Sequence, residues 1–486
     1  MKRYPFHPFL FVLFPIFSIL AKNISEIDTL VVPLFWIILL SFIVLLLQWF
    51  LTYLLKDKQK SSNILSLFIL FFFSYGAFSA ILMKFKFGEF IFVRNFHRFP
   101  VYVMLFIFLG YLYIKIINKL KNSTEFLNFV SLILILLSLL KIGMHCINFY
   151  ISQPKEQLEY NRIVKSDFKK SNYPDIYYII LDGYAREDTL KEIFNYDNSE
   201  FIQYLKNKGF YIPKFSKSNY AMTGLSIPSS LAMDYLKSQN IKPPNKVKDF
   251  LISYGYKYIE KSSFFNQPYL REKNYYIKIL YSEFSQILLK ISILDVLANR
   301  FNLYGEICRK DILDSFKYLE KVSKISGPKF VYAHILAPHP PYVFGQNGER
   351  TKLNLGVSFN IYKTFWDNKE GYINQLIFIN KKVKEIIEII LKNSSTQPII
   401  ILQADHGPHL EIDYEKKVKT ALRIFTAFYL PNKDKMIMYD TITPVNIFRV
   451  LFNHYFNANM EILKDKIYFS LNEMPYKYVE VTGKFD

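Results

Sequence analysis

Long apolar runs separated by short polar connections fill the first part of the chain. Residues 29–55 and 64–83 contain no charged side chain. A helix needs about 20 mainly apolar residues to cross a bilayer, and both runs meet that length. Three further apolar runs, which are shorter or interrupted by polar residues, lie at residues 5–21, 99–114 and 126–151. The pattern predicts an N-terminal membrane domain of about five helices over residues 1–151.

The basic residues of the connections indicate how these helices are oriented. With five spans and the N-terminus in the cytoplasm, the inner loops hold Lys2, Arg3, Lys56, Lys58, Lys60, Lys115, Lys119 and Lys121, and the outer loops hold Lys22, Lys84, Lys86, Arg94 and Arg98. The positive-inside rule favours this arrangement. We therefore expect a multi-pass protein of the cell (inner, cytoplasmic) membrane whose remaining residues are extracytoplasmic. The alternative for the first run is a signal peptide, although no small-residue cleavage site follows Ala21 convincingly.

After about residue 172 the pattern changes to short β-rich runs that alternate with helical stretches. Three continuous apolar runs indicate strands buried on both faces, as in a parallel sheet covered by helices. They lie at residues 176–181, 329–336 and 398–404, and weaker strands are expected at residues 256–260 and 425–430. Between the last two strong strands, residues 370–393 repeat apolar side chains at helical spacing.

The second part of the chain is therefore predicted to be an α/β domain with a mostly parallel sheet covered by helices on both faces. We expect it to span residues 172–486, with a connector at residues 152–171 joining it to the membrane helices.

Charge and cysteine content add two constraints. The 486 residues carry 61 Lys and Arg against 41 Asp and Glu, a net charge of +20. No RNA-binding motif or zinc-finger spacing accompanies this charge, so we expect no nucleic acid partner and attribute it to anionic lipid headgroups. Cys146 lies in an apolar run and Cys308 far away in the polar part, so no intrachain disulfide is expected.

Polar residues follow each of the three strong strands. Asp182 comes directly after the first strand, His339 follows the second, and Asp405 and His406 follow the third. Ligands of open α/β sheets collect beyond the carboxyl ends of the strands, so these four residues should lie at one edge. Taken singly, Asp and Gly after a strand are ordinary turn residues. Taken together, carboxylates and imidazoles are the usual ligands of a divalent metal ion, and a metal site is the favoured interpretation.

A segment rich in hydroxyl groups offers a nucleophile for such a site. Thr223, Ser226 and Ser229 surround Pro228, which is predicted to occupy the first turn of a helix. Backbone N–H groups at a helix start favour an anion, and a metal-bound hydroxyl loses its proton more readily. The alternative is that these hydroxyls only cap the helix. Spacing alone does not choose among them.

The motifs together resemble the alkaline phosphatase/sulfatase superfamily. They are Asp182 after a strand, the stretch 223–228 (TGLSIP), the stretch 332–342 (YAHILAPHPPY) and 405–407 (DHG). The most similar branch contains lipoteichoic acid synthases and lipid A phosphoethanolamine transferases. The resemblance implies five membrane helices followed by an extracytoplasmic, alkaline phosphatase-like catalytic domain.

Carried over to this sequence, the resemblance implies a metal site and two catalytic residues. Asp182, Thr223, Asp405 and His406 would bind one divalent cation, Zn²⁺ or Mn²⁺. Thr223 would be the nucleophile, because the transferases place their catalytic threonine three residues before a serine and five before a proline. His339 matches the histidine on the substrate side.

Two departures from the family pattern limit what can be transferred. The transferases usually have Glu where this chain has Asp182. The sulfatase signature C-x-P-S-R would fall on residues 226–230, where Ser226 replaces its cysteine and Ser230 its arginine. Hydrolysis of sulfate esters through a formylglycine is therefore not expected.

The hypothesis at this point is a transfer of a phospholipid headgroup, phosphoglycerol or phosphoethanolamine, to an envelope glycan or lipid. Thr223 would form a phosphothreonine intermediate and His339 would protonate the leaving alcohol. His334 and His409 are candidates for the second step or for a second ion, although a histidine inside a strand, such as His334, is more often a packed core residue. A hydrolase or phosphodiesterase that uses water and a non-catalytic membrane-anchored binding protein are the alternatives. The oligomeric state stays open.

Overall fold

The computed structural model describes residues 4–24, 30–82, 86–87, 90–91, 95–117, 122–151, 173–236, 243–261, 279, 282–351, 366–410, 412–431, 437–471, 474 and 477–484. These residues form two compact units. The first contains the described residues of 1–153 and 264–304, and the second those of 154–263, 305–353 and 362–486. The predicted connector at residues 152–171 lies outside the described residues.

Helices dominate the element order. In chain order they are α1 (His7–Asn23), α2 (Val31–Leu55), α3 (Lys58–Leu82), α4 (Asn95–Ile117), α5 (Ser123–Ile151), α6 (Glu187–Phe194), α7 (Ser199–Lys208), α8 (Thr223–Ala232), α9 (Lys246–Ser253), α10 (Glu283–Ile291), α11 (Asp295–Arg300), α12 (Leu303–Ser323), α13 (Lys369–Asn393), α14 (Tyr414–Leu422) and α15 (Pro444–Phe456). The strands are β1 (Lys86–Phe87), β2 (Phe90–Ile91), β3 (Ile176–Leu181), β4 (Lys257–Lys261), β5 (Lys329–Ile335), β6 (Ile399–Gln403), β7 (Thr426–Tyr429), β8 (Tyr468–Phe469) and β9 (Val479–Glu480).

The first unit contains the predicted N-terminal helices. Within the described residues, α2, α3 and residues 123–147 of α5 are long and apolar enough to cross a membrane, and the apolar helices α1 and 98–113 are shorter. A few buried polar contacts join them: the Asn128 side chain accepts from the backbone N–H of His7 at 2.9 Å, and the His7 ring lies 2.6 Å from Ser66 Oγ. Apolar side chains such as Ile38 and Leu137 are exposed, as the surface of a membrane helix requires.

The second unit is built on a five-stranded sheet with the order β4-β5-β3-β6-β7. The pairs β4–β5, β5–β3 and β3–β6 are parallel, and β7 is antiparallel to β6. The predicted fold class, a membrane-helix domain followed by an α/β domain with a mostly parallel sheet, is confirmed. All five predicted strands are present, and each end lies within one residue of the predicted one.

Burial on both faces explains why the central strand is apolar throughout. Successive side chains of a strand point to opposite faces, and every residue of β3 is buried. Tyr177, Ile179 and Leu181 pack into one core cluster, and the intervening residues pack into the other. The first cluster lies against α13 and α12, and the second lies against α8, α9 and α15. The sheet is thus covered by helices on both faces.

One element begins earlier than the sequence predicts. Helix α8 starts at Thr223, and Pro228 lies inside it rather than in its first turn. A proline in a helix interior removes one i→i−4 hydrogen bond, here the one to the Gly224 carbonyl. Gly224 is exposed. Apart from its chain neighbours and the backbone of its own helix, no atom lies within 4 Å of the place that a Cβ would take. The prediction for Pro228 was wrong, and its correction puts the helix N-terminus at Thr223.

The core of the second unit can be tested at its central strand. Replacing Ile179 by Ala removes a fully buried side chain, and we expect a loss of about 2–5 kcal/mol in the free energy of unfolding because a cavity remains. Urea denaturation of the detergent-solubilised protein, followed by aromatic fluorescence, measures this loss. Ile462→Ala is the matched control, since Ile462 is 44% exposed; equal midpoints for the two variants would contradict the assignment of β3 to the core.

Candidate metal centre

The carboxyl edge of the sheet brings together residues that lie far apart in sequence. Asp182 follows β3, and its backbone N–H donates to the carbonyl of Ile335 at the end of β5. The His339 N–H in turn donates to the carbonyl of Asp182 at 2.9 Å. The loop after β6 reaches the same place, because the Gly183 N–H donates to Asp405 Oδ1 at 3.2 Å. The sheet register therefore places the three predicted loops side by side.

Two carboxylates and two imidazoles form the centre of this cluster. His406 Nε2 lies 3.6 Å from Asp182 Oδ1 and 3.6 Å from Asp405 Oδ2. The other oxygen of Asp182 lies 2.9 Å from His334 Nε2. Both aspartates are buried, with exposed fractions of 1% and 0%. Four ionisable groups thus share a site that water barely reaches.

Two carboxylate oxygens of this site have no hydrogen-bond partner among the described residues. They are Asp182 Oδ1 and Asp405 Oδ2, the same two atoms that face His406 Nε2. Leaving a buried charged oxygen unsatisfied is costly, so such atoms normally contact a cation or a donor. Two sets of three ligand atoms within 4.8 Å of one another are present: Asp182–His339–His406 and Asp182–His334–Asp405. This donor set can hold a divalent metal ion.

The histidine tautomers follow from the carbonyl groups beside them. His406 Nδ1 lies 2.8 Å from the carbonyl oxygen of Gly407, and His339 Nδ1 lies 2.6 Å from that of Pro340. A carbonyl only accepts, so Nδ1 carries the proton in each ring. In the neutral form of either ring Nε2 is then the acceptor, and this is the form in which imidazole binds a metal.

Thr223 lies next to the same histidine. Its Oγ1 is 3.1 Å from His406 Nε2, and it is the first residue of α8. Its side chain is partly exposed, whereas Ser226 and Ser229 are fully buried. Ser226 Oγ donates to the Asp405 carbonyl at 2.7 Å, and Ser229 Oγ donates within its own helix to the Ser226 carbonyl. Of the three hydroxyls that spacing could not separate, Thr223 is the one beside the metal-ligand candidates.

Ser226 and Ser218 fix the start of α8 against the loop after β6. Both hydroxyls donate to the backbone carbonyl of Asp405, and they lie 3.0 Å from each other. All three residues are buried. This contact sets the distance between Thr223 and the pair formed by Asp405 and His406.

The charges of the cluster shift its pKa values. Burial by itself raises the pKa of Asp182. The histidines around the carboxylate lower this pKa by more than burial raises it, so it lies well below its ordinary value. Burial lowers the pKa of His334, but the hydrogen bond and the charge of Asp182, together with the charges of Asp405 and Asp311, outweigh burial and raise this pKa above its ordinary value. Burial, followed by the charges of His406 and His339, holds the pKa of His409 well below its usual value. Asp182 is thus ionised and His409 neutral near pH 7.

Two further residues lie beside the proposed metal ligands: His409, which the sequence indicated only as a secondary candidate, and Trp366, which it did not indicate. His409 is buried with its ring centroid 4.7 Å from that of His406, and Trp366 is 1% exposed with its ring centroid 4.9 Å from that of His339. Gly183 makes room for the tryptophan: at a φ of +72°, a Cβ there would lie 2.6 Å from the indole ring. A single tryptophan in a polar stretch was the available signal. Arg350 is exposed and forms an ion pair with Glu306.

Comparison with known proteins gives a likeness of fold. Neither a protein-family model nor a curated protein sequence matches the chain. The C-terminal periplasmic domain of EptC from Escherichia coli in complex with Zn is 11% identical, with a TM-score of 0.42 over 65% of this chain and 95% of that chain. The corresponding domain of the phosphoethanolamine transferase EptC from Campylobacter jejuni is 14% identical, with a TM-score of 0.39 over 61% and 95%.

A full-length membrane protein is also similar. The integral membrane protein lipooligosaccharide phosphoethanolamine transferase A from Neisseria meningitidis is 11% identical, with a TM-score of 0.38 over 93% of this chain and 94% of that chain. Likeness at this level concerns the fold alone and assigns no activity to this chain.

The metal site predicts a specific loss on removal of one charge. Asp405→Asn keeps an oxygen that accepts from the Gly183 N–H but removes the charge facing His406. We expect metal affinity to fall by more than the roughly 10–100-fold that loss of a supporting hydrogen bond costs. Elemental analysis of the purified protein and the metal-dependent rise in melting temperature measure this.

The control for this experiment is Asp413→Asn. Asp413 caps α14 by accepting from the Lys416 N–H, and asparagine caps a helix equally well. We expect this variant to bind the ion like the parent protein. Unchanged metal content in Asp405→Asn would contradict the site.

Proposed function

We propose that the chain is a membrane-anchored, metal-dependent phosphotransferase that moves a phospholipid-derived headgroup to an envelope acceptor. The observation that supports this most directly is the position of Thr223 Oγ1, 3.1 Å from His406 Nε2, at a helix N-terminus and beside two buried carboxylates with unpaired oxygens. A hydroxyl in that setting is suited to act as a nucleophile on an anionic, electrophilic centre such as a phosphate ester. The active unit is extracytoplasmic and the protein is a multi-pass protein of the inner membrane.

The residues proposed to hold the ion are Asp182, Thr223, Asp405 and His406. A divalent ion, Zn²⁺ or Mn²⁺, bound there would lower the pKa of the Thr223 hydroxyl and polarise the phosphate oxygens. His334 holds Asp182 through its 2.9 Å hydrogen bond, so it acts as a positioning residue behind the ligand.

The proposed chemical step uses Thr223 and His339. Thr223 attacks phosphorus, a P–O bond to threonine forms, and the P–O bond to the lipid alcohol breaks. The His339 ring, whose Nε2 is the acceptor nitrogen because Nδ1 donates to the Pro340 carbonyl, takes up the proton that the Thr223 hydroxyl loses and passes it to the departing alcohol. The backbone N–H groups at the start of α8 are positioned for the phosphate oxygens. Exposed Gly224 leaves open space at this point, so the ester can approach.

The second half of the reaction decides the class of enzyme. An acceptor hydroxyl of an envelope glycan or lipid attacks the phosphothreonine and regenerates Thr223, which is transfer. Water in the same place gives a hydrolase or phosphodiesterase. His409 is neutral and close to His406, so it is a candidate base for this half.

Two other classes are less well supported. A formylglycine-type sulfatase makes its nucleophile from the cysteine of its signature, whereas this chain has Ser226 at the aligned position, and the Ser226 hydroxyl is buried and donates to a carbonyl. A non-catalytic binding protein would have no need to retain two unpaired buried carboxylates beside an accessible hydroxyl, and it predicts that no metal is bound.

Thr223→Ala tests the nucleophile. We expect turnover of a labelled phospholipid to fall by roughly 10³-fold or more, because the covalent step is lost. Thr223→Ser should retain part of the activity, since it keeps the oxygen. The matched control is Ser229→Ala on the same helix. Among the described residues the Ser229 hydroxyl bonds to the Ser226 carbonyl of its own helix, so its loss should leave turnover unchanged. Full activity of Thr223→Ala would reject the assignment.

The donor and the class of reaction are separated by following the label. We expect purified protein in lipid vesicles to release label from phosphatidylethanolamine or phosphatidylglycerol and to carry a covalent adduct on Thr223 when no acceptor is present. Mass spectrometry of that adduct identifies the transferred group by the mass gained. Label that moves to an added glycan or lipid supports a transferase, and label that appears only in water supports the hydrolase.

A further inference from the structure

A segment from the polar part of the sequence folds with the membrane helices. Between β4 and β5 the chain forms α10 and α11, and both belong to the same compact unit as α1–α5. The hydrophobic pattern alone had placed these residues in the α/β domain. The contacts of α10 and α11 show where along the membrane helices they pack.

Helix α10 is inserted among α1, α2 and α3. Phe284 and Leu288 pack into one core cluster with residues from the second half of α1. Trp36 of α2 donates its indole N–H to Ser285 Oγ at 2.7 Å. Gly76 of α3 allows the closest approach, since a Cβ there would lie 2.6 Å from the Ile291 Cα. The contacting residues belong to α1, α2 and α3 themselves, so α10 packs alongside these helices and not beyond their ends.

The segment continues along α3 and α4 through α11. The Ile293 N–H donates to the carbonyl of Phe72 in α3 at 2.8 Å. Asp295 is fully buried and accepts from the Tyr304 hydroxyl at 2.9 Å. Buried Arg98, in the first turn of α4, lies close enough to Asp295 for electrostatic attraction. This polar cluster fixes α11 at the level where α4 begins.

The opposite face of α11 is apolar and exposed. Leu294, Leu297 and Phe301 are 41%, 53% and 74% exposed. Leu297 lies in α11, and Leu294 and Phe301 flank its two ends; the spacing i, i+3 and i+7 places all three on one side. Exposed Arg300 lies beside this face. A helix that buries an aspartate and presents leucine and phenylalanine to the outside has the polarity of a segment facing lipid rather than water.

We propose that α11 and its flanks are embedded in the bilayer surface, with Leu294, Leu297 and Phe301 among the acyl chains. The occupant of this face is lipid because α11 contacts α4, whose own apolar side chains Met104 and Ile107 are 63% and 65% exposed. Because α4 and α11 contact each other, the lipid that covers the exposed side chains of α4 also covers the outer side of α11. Arg300 is at the edge, where a guanidinium meets lipid phosphate groups.

This inference is independent of the chemistry at the metal site. It adds a second membrane attachment to the chain, after the N-terminal helices and between two neighbouring strands of the sheet. The segment is amphipathic and short, so it lies in the interface and does not span the membrane.

Lipid-phase quenching tests the proposal on the full chain. A polarity-sensitive fluorophore is attached to Leu297→Cys or Phe301→Cys in a Cys146→Ser background, with the protein in phosphatidylcholine/phosphatidylglycerol vesicles. The background protein alone reports any labelling of Cys308, which is buried. We expect acyl-chain doxyl labels to quench both probes as strongly as a probe at Leu137→Cys, on the exposed surface of α5. Aqueous iodide should have little effect.

The matched control is Ile462→Cys, an exposed apolar position of the second unit, which should show the reverse pattern. Iodide quenching at residues 297 and 301 equal to that at residue 462 would overturn the proposal, since the face would then be in water. Quenching by neither agent would overturn it as well, because the face would then be covered by protein, for example a second copy of the chain. If one of the two variants fails to fold, the probe at the other position still tests the proposal.

Discussion

The arrangement of the second unit depends on two carboxylates that are buried at one edge of the sheet without a full set of partners. Asp182 and Asp405 come from the ends of adjacent parallel strands, and the register of β3 with β6 brings their side chains to the same histidine. Two like charges in a site of low dielectric repel each other and lose their hydration. His334 compensates part of this by bonding to one oxygen of Asp182. A bound cation would compensate the rest, and its binding free energy would then contribute to the stability of the fold itself.

Thr223, the proposed nucleophile, is positioned by the same edge of the sheet. The carbonyl of Asp405 accepts from two serine hydroxyls, one of which belongs to α8. Because this contact is buried, a shift of the helix would expose or break it. The start of α8 is thereby held at the proposed metal ligands, and the partial positive charge of its N-terminus would favour the phosphate charge of the proposed reaction. Structural serines and the proposed nucleophile are thus neighbours in one short stretch, which is why spacing alone could not distinguish them.

The sequence predicted those features that depend on burial along a single element. The strands of the sheet were identifiable because burial on both faces leaves a continuous apolar run, and helix α13 because its apolar residues repeat at helical spacing. Strand ends pointed to Asp182, His339, Asp405 and His406, and the structure brings all four to one place. The start of α8 was misjudged, since proline favours the first turn but here lies further in, where it removes the hydrogen bond to the Gly224 carbonyl. Trp366 was missed, because its place beside His339 depends on a contact with Gly183 that has no local signature.

The other feature that the sequence could not show is the membrane contact of α10 and α11. Their pattern is that of amphipathic helices, which a globular domain also uses, and only the tertiary packing reveals that the buried face meets membrane helices while the outer face stays apolar. Local rules are broken at both of these sites of the described chain: carboxylate oxygens without a hydrogen-bond partner are buried at one, and leucine and phenylalanine are exposed at the other. Such violations concentrate where a sequence serves function rather than folding alone. In both places the missing stabilisation is of a kind that the polypeptide does not supply, a cation for the carboxylates and a lipid surface for the apolar face.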